Sequence, residues 1–357
     1  MTLPLVVRRN DFRLTDDERL FPSSVADYLA SACTHETVRA AEPLGFDARL
    51  WRALTDQGVV EAARGPDEDG SAGLVQGALV AEACGASTAP VPYMETVAVA
   101  RLLGRIDVLA ATELGGEVAS GRKIVGFAPG SAMSGWPQLV ASGAIADAVI
   151  GLLGDDLVLL ERQHEVPPVA VQGHLPAGWW GPGMASATRL LTGDRARAAF
   201  SQTRDEYLVL TASALAGLGA ASLDQAAGFA RDRTTRGVPI GALQGVSHPL
   251  AECKVAVEGA RQTARKAAWF CEHEPAADPK LPAVAFIAAA RAADRACRVA
   301  MHVNGGMGVM VDGEPARYLL RSKSWAAIVA RIPDVQLELA NVLRSPRYQD
   351  VVYPSML

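Results

Sequence analysis

The sequence predicts a mostly helical α+β protein in three successive units: an N-terminal helical domain over 1–118, a central small β-barrel or sandwich over 119–203, and a C-terminal four-helix bundle over 204–357. Three observations predict it. Apolar residues recur at helical spacing up to about residue 115. Short apolar runs separated by Gly, Pro and Asp then follow one another to about 200. Beyond that, long helical patterns return, joined by short polar links such as EHEPAADPK.

In the first unit, TDDERLFPSSVADYLASAC opens with a Thr-Asp cap signal and continues with helical spacing. GFDARLWRALTDQGV is amphipathic, with Phe46, Leu50, Trp51 and Leu54 on one face. GPDEDG is a turn. SAGLVQGALVAEACG reads as a buried helix ending at Gly85, and TVAVARLLGRIDVLAATEL as another. In the second unit, RKIVGFAP, PQLVASG, DAVIGLL, DDLVLLE and PPVAVQG read as strands, and SATRLLTG and RARAAFS continue in the same style. Trp179 and Trp180 fall in a Gly/Pro loop. In the third unit, helices are expected over roughly 205–233, 242–272, 280–303 and 315–344, with a glycine turn before the last. The tail SPRYQDVVYPSML is expected to be non-helical.

Composition narrows the function. Of 357 residues half are hydrophobic and a fifth charged, with a net charge of −5, which describes an ordinary globular protein. No basic domain or stripe points to nucleic acid. The most apolar run, GAIADAVIGLLGDDLVLL, is interrupted by Asp147, Asp155 and Asp156 and is too broken to span a bilayer. The N-terminus has no long apolar core of a secretory signal. Five scattered cysteines without a CxxC pair fit reduced thiols, so a cytoplasmic location is expected. The six histidines have no metal-ligand spacing, and no metal is expected.

Three stretches, in order and spanning nearly the whole chain, resemble the acyl-CoA dehydrogenase family. They are GFDARLWRALTDQGVVEAARGPDEDGSAGLVQGALVAEACG, RDRTTRGVPIGALQGVSHPLAE and HVNGGMGVMVDGEPARYLLR. The resemblance implies a flavoenzyme that forms an α,β double bond in an acyl-CoA thioester. A carboxylate removes the α-proton and FAD accepts the β-hydrogen as hydride. Such chemistry needs donors that polarise the thioester carbonyl and a carboxyl base tuned by a dry pocket.

Carried over residue by residue, the resemblance implies that Arg233 contacts the FAD pyrophosphate across a subunit interface. Gln244 would lie near the ribose and adenine, Ser142 beside the flavin ring, and Gly305, Gly306 and Gly308 in a nucleotide-facing turn. Each also has a plain structural explanation: a solvated helix-end arginine, an exposed helix glutamine, a strand serine and a helix C-cap with a tight turn.

Several positions depart from the pattern. Arg236 replaces an aromatic residue before Gly237, and His302 replaces a glutamine ahead of the turn. GFAPGSAMSG stands in for a Thr-Glu-x-x-x-Gly-Ser loop, and AAIVARIPDVQLE for a Glu-Gly-Thr turn. The base position counted back from Arg321 holds Arg317, which cannot be deprotonated. Glu314 and Asp312 are nearby carboxylates explained by loop polarity. The family's alternative base position falls on Tyr207, with Glu206 one residue and about 100° of helix away.

Three functions follow. In the first, the chain is a subunit of a heteromeric FAD-dependent acyl-CoA dehydrogenase that has lost its own base and handles bulky acyl groups, steroid side chains among them. In the second, it is a self-sufficient enzyme using Glu206. In the third, it is a flavin-free enzyme or scaffold on the same fold. Self-association or association with a second acyl-CoA dehydrogenase subunit is expected in any case.

Overall fold

The structure, a computed structural model, describes residues 14–65, 73–130, 136–275, 278–310 and 313–344. The GPDEDG turn beyond Gly65, Asp312 and the predicted non-helical tail lie outside the described residues.

Helix α1 (Asp16–Ala32) starts at a reciprocal cap. Glu18 N–H donates to Thr15 Oγ1 at 3.3 Å, and Thr15 N–H donates to Glu18 Oε2 at 2.8 Å, which satisfies two otherwise orphaned donors. Helix α2 (His35–Ala41) follows after a single turn. Helix α3 (Ala48–Asp56) is capped by Asp47, whose Oδ1 accepts from Arg49 N and Leu50 N, and it buries Leu50, Trp51 and Leu54 as the spacing predicts. After the short α4 (Glu61–Arg64), α5 (Leu74–Ala86) is apolar and largely buried, with Gly85 inside it rather than ending it. TVAVARLLGRIDVLAATEL is two helices, α6 (Tyr93–Arg105) and α7 (Leu109–Ala119), broken where Ile106 turns extended.

The β-domain holds a four-stranded sheet in the order β1 (Val125–Phe127), β3 (Ala148–Leu153), β4 (Asp156–Arg162), β6 (Ala185–Thr192). Its first pair is parallel and the others antiparallel. A separate antiparallel pair joins β2 (Gln138–Val140) to β5 (Gly178–Trp180). Trp179 and Trp180 are therefore strand residues, not loop residues. Trp180 is buried and donates its indole N–H to the Gly143 carbonyl at 2.8 Å, and that partner is what lets it sit inside. PPVAVQG forms no strand, because its prolines withhold ladder donors.

RARAAFS is not a strand either. It opens α8 (Gly193–Asp232), a 40-residue helix that begins where β6 stops. At 1.5 Å per residue α8 is about 60 Å long. Its apolar surface is covered by α5, by α9 (Gln244–His273) and by α10 (Leu281–Asn304). The predicted last helix is two, α11 (Glu314–Val329) and α12 (Ile332–Arg344), with extended Ala330 between them. Pro333 explains the break, since proline fits a first helical turn but not an interior. Phe127 of β1 packs on Phe200 and, edge-on, on Tyr207, with centroids 5.3 and 6.0 Å apart, which seats the sheet on α8.

Candidate functional site

Two places concentrate the candidate residues. The first is an exposed end of the bundle. Helix α8 stops at Asp232. The chain turns through a hairpin of β7 (Thr234–Thr235) and β8 (Val238–Pro239), then enters α9 at Gln244. Arg236 and Gly237 form the two-residue hairpin turn with φ of +49° and +83°, the conformation that matches strand twist. Residues 231–239 are all exposed, as is Gln244. Arg231, Arg233 and Arg236 have no ion pair among the described residues.

The glycine turn lies at the same end. A small cluster of Ala226, Ala230, Ala300 and Val303, with Ile240 and Val246 against it, binds the ends of α8 and α10 to the loop before α9 and to the first turn of α9. Asn304 and Gln225 exchange amide hydrogen bonds at 3.0 and 3.1 Å, clamping the turn to α8. Gly305 takes φ +59°, and the space around Gly305 and Gly306 is open. Gly308 serves packing, since a Cβ there would lie 2.4 Å from the Met301 carbonyl oxygen. The structure thus gathers Arg233, Gln244, Gly305, Gly306 and Gly308 at one end. Exposed, unpaired guanidinium groups beside a positive-φ turn with open backbone are chemistry that fits a pyrophosphate.

Ser142 is not part of this group. It is fully buried in the β-domain beside Glu95 and presents no surface there to a ring.

The second place is a mostly apolar cavity of about 460 Å³ of empty space, its open mouth included, between the β-domain and the bundle. Pro90, Met94, Leu175, Trp325 and Val329 are among its walls, and Glu95, Tyr207, Thr211 and Arg321 line it too. Glu95 is 4 % exposed, and burial pushes its carboxyl up to about 8, although Ser142 and the Phe127 backbone draw it part-way down. Among the described residues, Glu95 Oε2 and Thr211 Oγ1 are buried without a hydrogen-bond partner.

Arg321 is 1 % exposed. Its Nη1 donates to the Thr88 carbonyl at 2.7 Å, while Nε and Nη2 have no hydrogen-bond partner among the described residues. Burial lowers its guanidinium to about 10, with the charge of Arg317 adding to the effect.

Glu206, the carboxylate singled out in the sequence, faces elsewhere. Tyr207 and Thr211, four residues apart, share the cavity face of α8. Glu206 lies about 100° round the helix and is fully buried against Arg105 at 2.6 Å and Arg101 at 3.2 Å. Arg101 also pairs with Glu272 at 2.8 Å, and Glu272 accepts from Leu74 N–H at 2.7 Å. A carboxylate held by two arginines inside such a network is not available as a base to a ligand in the cavity. Arg317 is likewise taken, its Nε donating to Glu42 Oε1 at 2.9 Å.

Sequence reasoning missed Glu95 and Thr211. The signal was weak: a single acid in the apolar run VPYMETVAVARLL. Arg321 was noticed only as the end of a motif.

Comparison with known proteins agrees with this architecture. The family model for the acyl-CoA dehydrogenase C-terminal domain matches residues 195–328. Acyl-CoA dehydrogenase IpdE2 of Mycolicibacterium smegmatis is 28 % identical over 324 residues, covering 88 % of this chain and 95 % of that protein. Residues 195–328 match the acyl-CoA dehydrogenase C-terminal domain, and nearly the whole chain is similar to acyl-CoA dehydrogenases. Acyl-CoA dehydrogenase FadE27 of Mycobacterium tuberculosis is 29 % identical, covering 88 % of this chain and 93 % of that protein. The crystal structure of the ChsE4-ChsE5 complex from Mycobacterium tuberculosis superposes with a TM-score of 0.81 at 26 % identity, over 94 % of this chain and all of that one. The α+β fold, dominated by helices, is that of an acyl-CoA dehydrogenase.

Proposed function

We propose that this chain is one subunit of a heteromeric, FAD-dependent acyl-CoA dehydrogenase acting on a bulky acyl-CoA such as a steroid side-chain thioester. The observation that carries the reading is the incomplete site. Groups suited to a pyrophosphate (Arg233, with Arg231 and Arg236 beside it, and the Gly305 turn) stand exposed and unpaired at one end of the bundle. Meanwhile both positions that the resemblance offers for a base hold residues locked in ion pairs or without an acid, namely Arg317 and the Tyr207/Glu206 pair. A half-site of this kind gains its other half from a second subunit. The likeness to a chain of the ChsE4-ChsE5 complex supports that assembly.

In this reading Arg233 neutralises the pyrophosphate, the turn offers it backbone N–H groups, and the apolar cavity excludes water from the acyl group. The chemistry that FAD supplies when bound is acceptance of the β-hydrogen as hydride. The test is dehydrogenation of acyl-CoA thioesters, with an artificial electron acceptor, by the chain alone and by the chain co-purified with a second acyl-CoA dehydrogenase subunit. Activity only in the complex, unchanged by Glu206→Gln when the variant folds, is the expected result. Turnover by the lone chain would remove the need for a partner.

One observation favours a second reading, a self-sufficient enzyme: Glu95 is a carboxyl group on the cavity wall, with its pKa raised to about 8. Its mark is lone-chain activity abolished by Glu95→Gln and spared by Glu206→Gln.

A further inference from the structure

The cavity has an apolar lining and a buried guanidinium, that of Arg321, which lies 5.8 Å from the Trp325 ring centre and has no carboxylate partner among the described residues. Around Arg321, Arg317 is paired with Glu42. The Cys33 thiol is held up to about 12 by burial and stays neutral. Burial keeps Glu95, on the cavity wall, largely protonated at neutral pH. The balance at this end of the cavity is one uncompensated positive charge, fully buried, which is costly unless something pairs with it.

The geometry of what is left free is specific. Nη1 is occupied by the Thr88 carbonyl, so Nε and Nη2 remain. Those two atoms form one side of the guanidinium plane and present parallel N–H groups, the fork that takes a carboxylate in two hydrogen bonds. Two further unpartnered polar atoms, Glu95 Oε2 and Thr211 Oγ1, belong to residues lining the same cavity. Buried polar groups are nearly always satisfied. Three that are not, around one mostly apolar space, describe a ligand with an apolar body and an oxygen-rich end.

We propose that Arg321 is a specificity-determining residue that pairs with a carboxylate carried on the acyl group of the substrate, so that the chain serves an acyl-CoA whose acyl part bears a second acid function. This rests on the acyl-CoA dehydrogenase reading. Arg321 stays where it is, anchored by Thr88, while the apolar walls receive the body of the acyl group.

The test uses the co-purified heteromeric enzyme and two probes of equal chain length, octanoyl-CoA and suberoyl-CoA, which differ in a terminal methyl against a terminal carboxylate. Binding is read by calorimetry and turnover by kcat/KM. The expected result is a preference of the wild-type enzyme for suberoyl-CoA of about 10–100-fold, the range for charge-assisted hydrogen bonds. The preference, read as the ratio of the two kcat/KM values, is lost in Arg321→Gln and falls partly in Arg321→Lys, which keeps the charge without the fork. If Arg321→Gln fails to fold, Arg321→Lys carries the comparison. Equal handling of the two probes by the wild type, or an equal loss of both in the variants, overturns the proposal and leaves Arg321 a structural residue, with the acyl-CoA reading intact. Failure of both probes to bind also overturns this proposal, while the acyl-CoA reading is decided separately by the dehydrogenation assay on bulky thioesters.

Discussion

Glu95 and Glu206 are both buried acids, yet their surroundings give them opposite characters. Glu206 meets two arginines, whereas Glu95 meets an apolar wall and holds its proton up to about pH 8. A carboxyl raised from 4.5 to about 8 binds its proton more tightly in the folded state than in the unfolded state. Its contribution to stability is complete below the unfolded pKa and is lost as pH rises to the folded one. Glu95→Gln removes that loss. Relative to wild type, the variant should gain on the order of 3 kcal/mol between pH 5 and pH 7, measured by urea unfolding. Asp205 is also raised, to about 7, but it is common to both proteins and cancels in the difference. A flat difference with pH would show that Glu95 is ionised at neutrality. Arg101 is the corresponding test of the paired side. It holds Glu206 and Glu272 at once, so Arg101→Met leaves two buried carboxylates short of a partner. It should cost about 3–5 kcal/mol by the same measurement, and a loss under 1 kcal/mol would contradict the network's structural role.

Helices α5 and α8 cross so closely that side chains are excluded at the contact. A Cβ on Gly85 would lie 1.8 Å from the Ala214 carbonyl oxygen, and one on Gly217 would lie 2.0 Å from that of Glu82. Gly85→Ala or Gly217→Ala should therefore destabilise by about 3 kcal/mol or more, because backbone cannot yield as a flexible side chain does. Gly228, also in α8 and with only the end of Arg231 near it, at 3.9 Å, should gain about 0.5–1 kcal/mol on substitution by alanine. Thermal unfolding of the three variants separates these signs. The helices were legible because the 3.6-residue period survives in α3, α9 and α10, and because α5 is a long run of small apolar residues. Their ends were less so. Strand β6 feeds α8 with no loop between them, so the punctuation that marks a boundary is absent and RARAAFS reads as a strand. Pro333 was visible, yet one long helix was expected where two form, because the apolar period runs on through both.

The whole molecule brings distant segments together in two ways, and they differ in how far sequence reveals them. The exposed end joins Arg233, Gln244 and Gly305 through short local motifs, each readable by itself. The cavity joins Glu95, Thr211 and Arg321 from three helices far apart in the chain, and no local pattern announces that meeting. The exposed end also sets what assembly must do. In the complex, Arg233→Ala should lower flavin occupancy several-fold while leaving the unfolding temperature of the lone chain unchanged, since Arg233 is exposed and unpaired. A fall in that temperature would mark a structural arginine instead. The central claim, a site completed by a second subunit, is tested most directly by the visible absorbance spectrum of the chain purified alone and co-purified with a second acyl-CoA dehydrogenase subunit. The account predicts a flavin spectrum only in the complex. Flavin bound to the lone chain, or none in a verified complex, would contradict it.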